Sequence, residues 1–189
     1  MATYTQSWKN HVWLAWFTLQ VPIILLIDAM HFYPSWLYKP ASSPLHFAEV
    51  FRQDYIATYN DPFMQWSSAT ASGHDSWIGL FLYLEFAFSV PVDVYALYRL
   101  GVQRKGTSGA DELLLLVYAF ETAFTTLTCI HDVSYWDPAV YSAELKRTFQ
   151  LNFLGPWLLM PTLMFVDMVF RILARIKVAD AAAAGKKGQ

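Results

Sequence analysis

Four stretches of this sequence, 11–33, 77–100, 113–131 and 149–173, each approach the run of about 20 apolar residues that a helix needs to cross a hydrocarbon core. A chain of this size has too little polar surface to hide four such runs, so they predict an all-α fold, a bundle of four transmembrane helices. Composition agrees, since only 15% of the 189 residues are charged, against about 25% in an ordinary soluble domain. The formal net charge of -2, with basic residues scattered in ones and twos, leaves no basic field for nucleic acid. The single cysteine, Cys129, rules out a disulfide within the sequence and a cysteine-based metal centre. It reads as packing.

The first stretch is too long for a cleaved signal peptide and lacks a small-residue cleavage site, so it reads as a retained helix. Lysine and arginine then set the orientation. Nine fall on one side: Lys9, Arg99, Arg104, Lys105, Arg171, Arg175, Lys177, Lys186 and Lys187. Four, Lys39, Arg52, Lys146 and Arg147, fall on the other. The positive-inside rule therefore places both termini in the cytoplasm, with residues 1–10 and 176–189 flanking a membrane domain over 11–175. The connection over 34–76 faces the lumen. Within it, Ser43-Pro44 reads as a helix start, and Phe47, Val50, Phe51 and Tyr55 then recur at helical spacing with polar residues between them. An amphipathic helix at the membrane boundary is expected there. Residues 67–73 read as a flexible link, 106–109 as a cytoplasmic turn and 181–189 as a frayed tail.

A charged side chain at bilayer depth costs at least about 2.5 kcal/mol, so each acid in a span needs a reason. Asp167 and Arg171 are four residues apart and read as a local ion pair. Asp93 reads as an acid at the membrane interface. Asp28 and Glu85 differ, because helix rise places both in the luminal half of their spans, in one layer. Two carboxyls meeting in a low-dielectric site cannot both ionise, so they share a proton and act as one buried anion, or else simply clamp two helices by hydrogen bonding. Glu121 sits nearer mid-membrane, either as a proton donor or as a neutral acid against a threonine. His31, three residues after Asp28, either pairs with it or is an interfacial histidine.

Trp157, Tyr83, Phe86, Thr125, Thr126, Thr128 and Asn152 fall at the same depth, and Pro22, Pro91, Pro156 and Pro161 interrupt the spans. Proline-broken helices diverge and free carbonyls, which suits a cavity. Aromatics beside a buried anion would receive a cation on an apolar body or a flat lipid with one hydroxyl. Trp8, Trp13, Trp16, Trp36, Trp66 and Trp136 read as an interfacial belt. His131, Asp132 and Asp137 have no specific metal-ligand spacing, so no metal is assigned. No cofactor is implied either, because phosphate loops, dinucleotide fingerprints, serine elbows and HExxH are absent from the sequence.

VPIILLID at 21–28, YIATYNDPFMQ at 55–65, LEFAFSVP at 84–91 and GPWLLMP at 155–161 together resemble the EXPERA family in order and spacing. The likeness is stronger to its sigma-2 receptor branch than to its sterol isomerase branch. It implies a four-helix endoplasmic-reticulum protein, a homodimer, that binds sterols and cationic amphiphiles in an intramembrane cavity. By that resemblance Asp28 is similar to the acid that pairs with a ligand amine and Glu85 to the acid bonded to it. Asp61 is similar to an acid needed for binding, and Trp157 to a pocket aromatic. The isomerase branch carries a His and a Glu one turn apart on its first helix, which span one lacks. Lys186-Lys187-Gly188-Gln189 resembles a dilysine retrieval signal, which operates on a cytoplasmic tail.

Two functions follow as expectations. The first is sterol and amphiphile binding, with Asp28, Glu85, Asp61, Trp157, Thr125 and Asn152 holding the ligand, a role in cholesterol homeostasis or trafficking, and a sterol-transport protein as a further partner. The second is a membrane isomerase or cyclase in which protonated Glu85 or Glu121 is catalytic on a sterol or terpenoid.

Overall fold

The computed structural model describes residues 8–67, 76–104 and 106–187, and these form only helices and their connections. Four helical segments are long and apolar enough to span a membrane: Trp8–His31, Trp77–Val102, Gly109–Val133 and Ala143–Gly185. The protein is a multi-pass membrane protein. Two compact units divide the chain, Leu14–Tyr98 and the combination of Met1–Trp13 with Arg99–Gln189.

The first helix, α1 (Trp8–Leu26), carries Pro22 inside it. It ends at Leu26 and gives way to a tighter turn at Asp28–His31. Tyr33 Oη donates to the Leu25 carbonyl at 2.9 Å, satisfying one of the acceptors a helix end leaves open. Helix α2 (His46–Tyr59) starts after Leu45, which has no side-chain cap. The expected Ser43-Pro44 start is therefore two residues early, because Ser43 Oγ instead donates to the Trp36 carbonyl and closes the preceding loop. Asn60 ends α2 in the left-handed conformation at φ 53°. Asn tolerates that region because its short polar side chain bonds locally. Helix α3 (Pro62–Gln65) follows at once. Phe47, Val50 and Phe51 are exposed on α2 while Ala48 is buried, which gives the helix the apolar outer face expected from its spacing.

The second span runs through α4 (Ser76–Leu84), a π turn at Glu85–Ser89, α5 (Val90–Ala96) and a second π turn at Leu97–Val102. Pro91 explains the first of these. It has no N–H to give the carbonyl four residues back and its ring crowds that carbonyl, so the preceding turn widens and Val90 N–H reaches Glu85 O. A third π turn, Phe149–Phe153, stands between α7 (Ala143–Thr148) and α8 (Gly155–Lys187), just before Pro156. A Cβ on Gly155 would meet the Gln150 carbonyl at 3.3 Å, so glycine suits this tight join. Pro22 and Pro161, by contrast, sit within continuous α-helix.

In the unit of Met1–Trp13 and Arg99–Gln189, α6 (Gly109–Val133) begins with a capping box. Ser108 Oγ accepts from Asp111 N–H at 3.2 Å, and Asp111 Oδ2 accepts from Ser108 N–H at 2.7 Å. Its inner face buries Leu115, Tyr118 and Ala119, and α8 buries Met164 and Met168. Leu113, Val117, Phe120, Phe124 and Leu127 form an exposed stripe at helical spacing, the face for lipid. Beyond the last turn of α6, Lys146 Nζ donates to the carbonyls of Ser134 and Trp136, and Gln150 Nε2 donates to the Ile130 carbonyl at 3.1 Å. Lys146→Met removes a cation from carbonyls with no helical partner and should lower stability by about 1–2 kcal/mol. Urea titration of the solubilised protein checks this, and no change in midpoint would rule out a capping role.

Three expectations need correction. The tail is not frayed from 181, since α8 continues to Lys187 through the strongly helix-forming run at 181–184. Trp13, Trp16 and Trp136 are buried rather than belted at an interface, while Trp8 and Trp36 are exposed. Asp93 is fully buried, not interfacial. Lys105, most of the link at 67–73, the side chains of Lys186 and Lys187, and Gly188-Gln189 lie outside the described residues.

Candidate functional site

Within Leu14–Tyr98, the polar groups gather where α1 breaks. Asp28 is the first residue of the turn that follows α1 and is half-buried. Asp61 lies within electrostatic reach of it. Sequence depth and the family resemblance joined Asp28 to Glu85; Asp61 is a further acid beside Asp28. The Asp-Pro step positions Asp61: its Oδ1 accepts from Phe63 N–H at 2.8 Å as the cap of α3, and Pro62 supplies the preset first helical residue. Its other oxygen, Oδ2, accepts from Tyr55 Oη at 3.0 Å, and Gln65 Nε2 donates to its carbonyl at 3.1 Å. Asp61 is only 4% exposed. Burial holds its carboxyl above the usual value of 3.8, against the pull of the Phe63 and Tyr55 hydrogen bonds, and burial and Asp61 together push the Tyr55 hydroxyl up.

Glu85 opens the first π turn and is half-buried. Such turns recur at functional sites because they aim side chains and carbonyls away from the regular ladder. Phe32 packs against Tyr83 and Phe86 with centroids 5.3 Å and 4.9 Å apart, so two of the aromatics expected at this depth meet through a third that was not expected. His31 does not appear as a simple surface residue. Its ring meets Trp66 edge-on at 6.0 Å, it bonds the Trp66 backbone, and Arg52 lies within electrostatic reach. Arg52 and Trp66 were missed by sequence reading, one as part of a polar helix face and the other as belt. Gln20 was missed too: it is 4% exposed within α1, with Oε1 buried and unbonded.

The other expected residues belong to the second unit. Thr125 Oγ1 donates to the carbonyls of Glu121 at 3.0 Å and Thr122 at 3.1 Å, within its own helix. Thr122 Oγ1 reaches Glu121 Oε2 at 3.4 Å, the acid-against-threonine arrangement. Asn152 is exposed in the third π turn, and Trp157 is half-buried in the first turn of α8. Asp132 accepts from Trp136 Nε1 at 2.9 Å and Asp137 from Ala139 N–H at 2.9 Å, so two of the unspecific metal trio serve local structure.

This unit also holds a charged network that spacing could not reveal. Asp167 does pair with Arg171, at 2.7 Å, but it also accepts from Lys9 Nζ at 2.7 Å and Trp13 Nε1 at 2.9 Å. Arg171 Nη1 donates to Asn10 Oδ1 at 2.7 Å and Thr107 Oγ1 at 3.1 Å. Arg175 grips Glu112 through two nitrogens at 2.5 Å and 2.9 Å, and Arg99 meets Asp111 at 2.6 Å. The network joins the start of α1, the start of α6 and the later turns of α8.

The family model described as EBP: EXPERA (EXPanded EBP superfamily) matches residues 47–168, which is well over half of the chain. The chain belongs to the EXPERA family. Among curated proteins it has no match. The matched segment of this EXPERA chain contains Asp61, Glu85, Glu121, Thr125, Asn152 and Trp157, while Asp28 and His31 precede it.

Proposed function

We infer that this EXPERA protein binds an amphiphile, a sterol or a lipophilic amine, whose polar group meets the acids of the Leu14–Tyr98 unit. The observation that carries this reading is a pair of acids, half-buried Asp28 at the break after α1 and buried Asp61 at the cap of α3, within electrostatic reach of one another. A cation between two such acids lets both ionise, which neither does cheaply alone. Glu85, beside an aromatic cluster in a widened turn, is the third acid assigned to the ligand. The family resemblance also assigns Trp157, and depth along the spans assigns Thr125 and Asn152. Span one lacks the His and Glu that the isomerase branch carries one turn apart, which favours binding over an isomerase or cyclase using protonated Glu85 or Glu121.

The sigma-2 receptor branch remains the nearer likeness and supports a homodimer with a role in sterol homeostasis, acting with a sterol-transport partner. Endoplasmic-reticulum residence rests on the resemblance of 186–189 to a retrieval signal, and the cytoplasmic placement of both termini rests on the lysine and arginine asymmetry. The exposed Phe47, Val50 and Phe51 face of α2 suits a luminal membrane boundary.

The test is hexadecylamine binding to the purified protein, followed by native mass spectrometry. Asp28→Asn removes a charge-assisted contact and should weaken binding about ten- to a hundredfold with the helical circular dichroism unchanged. Wild-type affinity in that variant would overturn the assignment.

A further inference from the structure

Arg52 Nε and Trp66 Nε1 are both buried and have no hydrogen-bond partner. A buried donor left unsatisfied costs about 1–3 kcal/mol, and native proteins leave few of them. The Trp66 ring lies 6.0 Å from that of His31, and the Arg52 charge falls within electrostatic range of the same imidazole. The nearest acid on α2 does not claim the guanidinium. Glu49, one turn before Arg52, accepts from Gln53 Nε2 at 2.8 Å through Oε1, its Oε2 is buried without a hydrogen-bond partner, and no ion pair joins Glu49 to Arg52 among the described residues. Trp66 is held in place by the absence of a side chain, since a Cβ on Gly79 would stand 2.7 Å from its Cζ2.

The Arg52 Nε–H and the Trp66 indole N–H together lack one thing, an acceptor with several oxygens. The planar fork of arginine matches a phosphate better than a lone hydroxyl. The spacing adds the second half of the argument. Asp28 and His31 are the two ends of a tight turn in which residues three apart eclipse, so the acid and the imidazole beside the donors lie on one face, about 6 Å apart along the axis. An acid followed at that distance by donors is the complement of a cation followed by an oxyanion.

We propose that the ligand site takes a zwitterionic amphiphile, one whose ammonium meets Asp28 and whose phosphate meets Arg52 and Trp66 beside His31. The inference rests on the proposed ligand site for the ammonium, and adds the phosphate subsite to it. A phosphocholine or phosphoethanolamine lipid has this head group. A sterol hydroxyl leaves the Arg52 and Trp66 donors short of acceptors.

Three probes with the same chain separate the contributions: hexadecylphosphocholine, hexadecylamine and hexadecyl phosphate, each titrated into the protein in a non-ionic detergent and read by native mass spectrometry. The zwitterion should bind about tenfold more tightly than the amine. Arg52→Gln should erase that preference, weakening the zwitterion and hexadecyl phosphate about tenfold while strengthening the amine a few-fold, because a cation near the acids has gone. Trp66→Phe, which keeps the ring and loses only the N–H, should weaken the two phosphates by a few-fold. Inorganic phosphate distinguishes the source of the oxyanion: no competition at millimolar concentration supports a lipid head group, and full displacement of hexadecyl phosphate would overturn it in favour of a free ion. If amine binding depends on Asp28 but the zwitterion shows no preference, or Arg52→Gln weakens all three probes equally, the phosphate subsite is wrong and the amine site stands. If no probe binds the wild type, both fall.

Discussion

Asp167→Ala should cost about 3–5 kcal/mol of stability, the largest loss expected from any single substitution in this protein. The residue is almost wholly buried, and it accepts from Lys9, Trp13 and Arg171 together. Removing it leaves the Trp13 N–H and a largely buried guanidinium without their acceptor, whereas Lys9, half-exposed, recovers its hydration. Asp167→Asn keeps an acceptor but not the charge, so its cost should fall between wild type and alanine. Chemical denaturation in mild detergent measures both variants. A loss below about 1 kcal/mol for alanine would show the network to be no stronger than a surface ion pair. Glu112 and Arg175 form the companion pair, and their contribution should add to that of Asp167 only in part, because Thr107 bonds both Glu112 and Arg171.

Asp61→Ala should cost about 3 kcal/mol and weaken amine binding at the same time. It strips the cap from α3, which is worth about 1 kcal/mol, and leaves the Tyr55 hydroxyl without its acceptor in half-buried surroundings. Asp61→Asn keeps one oxygen for the Phe63 N–H and offers Tyr55 Oη an amide N–H to accept in place of the lost oxygen, so it should cost less than alanine while still removing the charge. The pH dependence separates these roles. Because burial lifts the folded value above 3.8, stability is full below that value and is lost as pH rises through the raised one. Asp61→Asn should flatten that part of the melting-temperature profile. Amine affinity should run the other way and climb over the same range, since the ligand takes the ionised acid. A profile identical in wild type and Asp61→Asn would place the titration elsewhere.

What the sequence made legible follows from the range of the forces involved. The four spans were visible because hydropathy accumulates over a window of adjacent residues, and the ends differ from the expected ones by only a few positions except along α8. Asp61 was visible through the family likeness and its place before Pro62, and local capping chemistry then explains its position. The partners of Asp28 were not visible, since depth along a helix says nothing about which neighbour it faces. Asp111 and Glu112 drew no notice in the sequence, yet each meets an arginine, and Arg175 stands 63 positions from Glu112. Lys9 is 158 positions from Asp167. Arg52 and Trp66 were hidden for the opposite reason: each had a sufficient local explanation, and only their missing hydrogen bonds set them apart.

The widened turns at 85–89 and 149–153 carry a last consequence, for descent rather than chemistry. Each holds one residue more than an α-turn would, absorbed inside a helix. Every residue on one side of it is turned by about 100° relative to the other side. A relative without the extra residue would keep the same spans and hydropathy but present a different set of side chains beyond the turn. Comparing such chains position by position requires a one-residue gap within a membrane helix, where gaps are seldom opened. Without it, residues such as Glu85 and Asn152 would be matched to neighbours that point elsewhere.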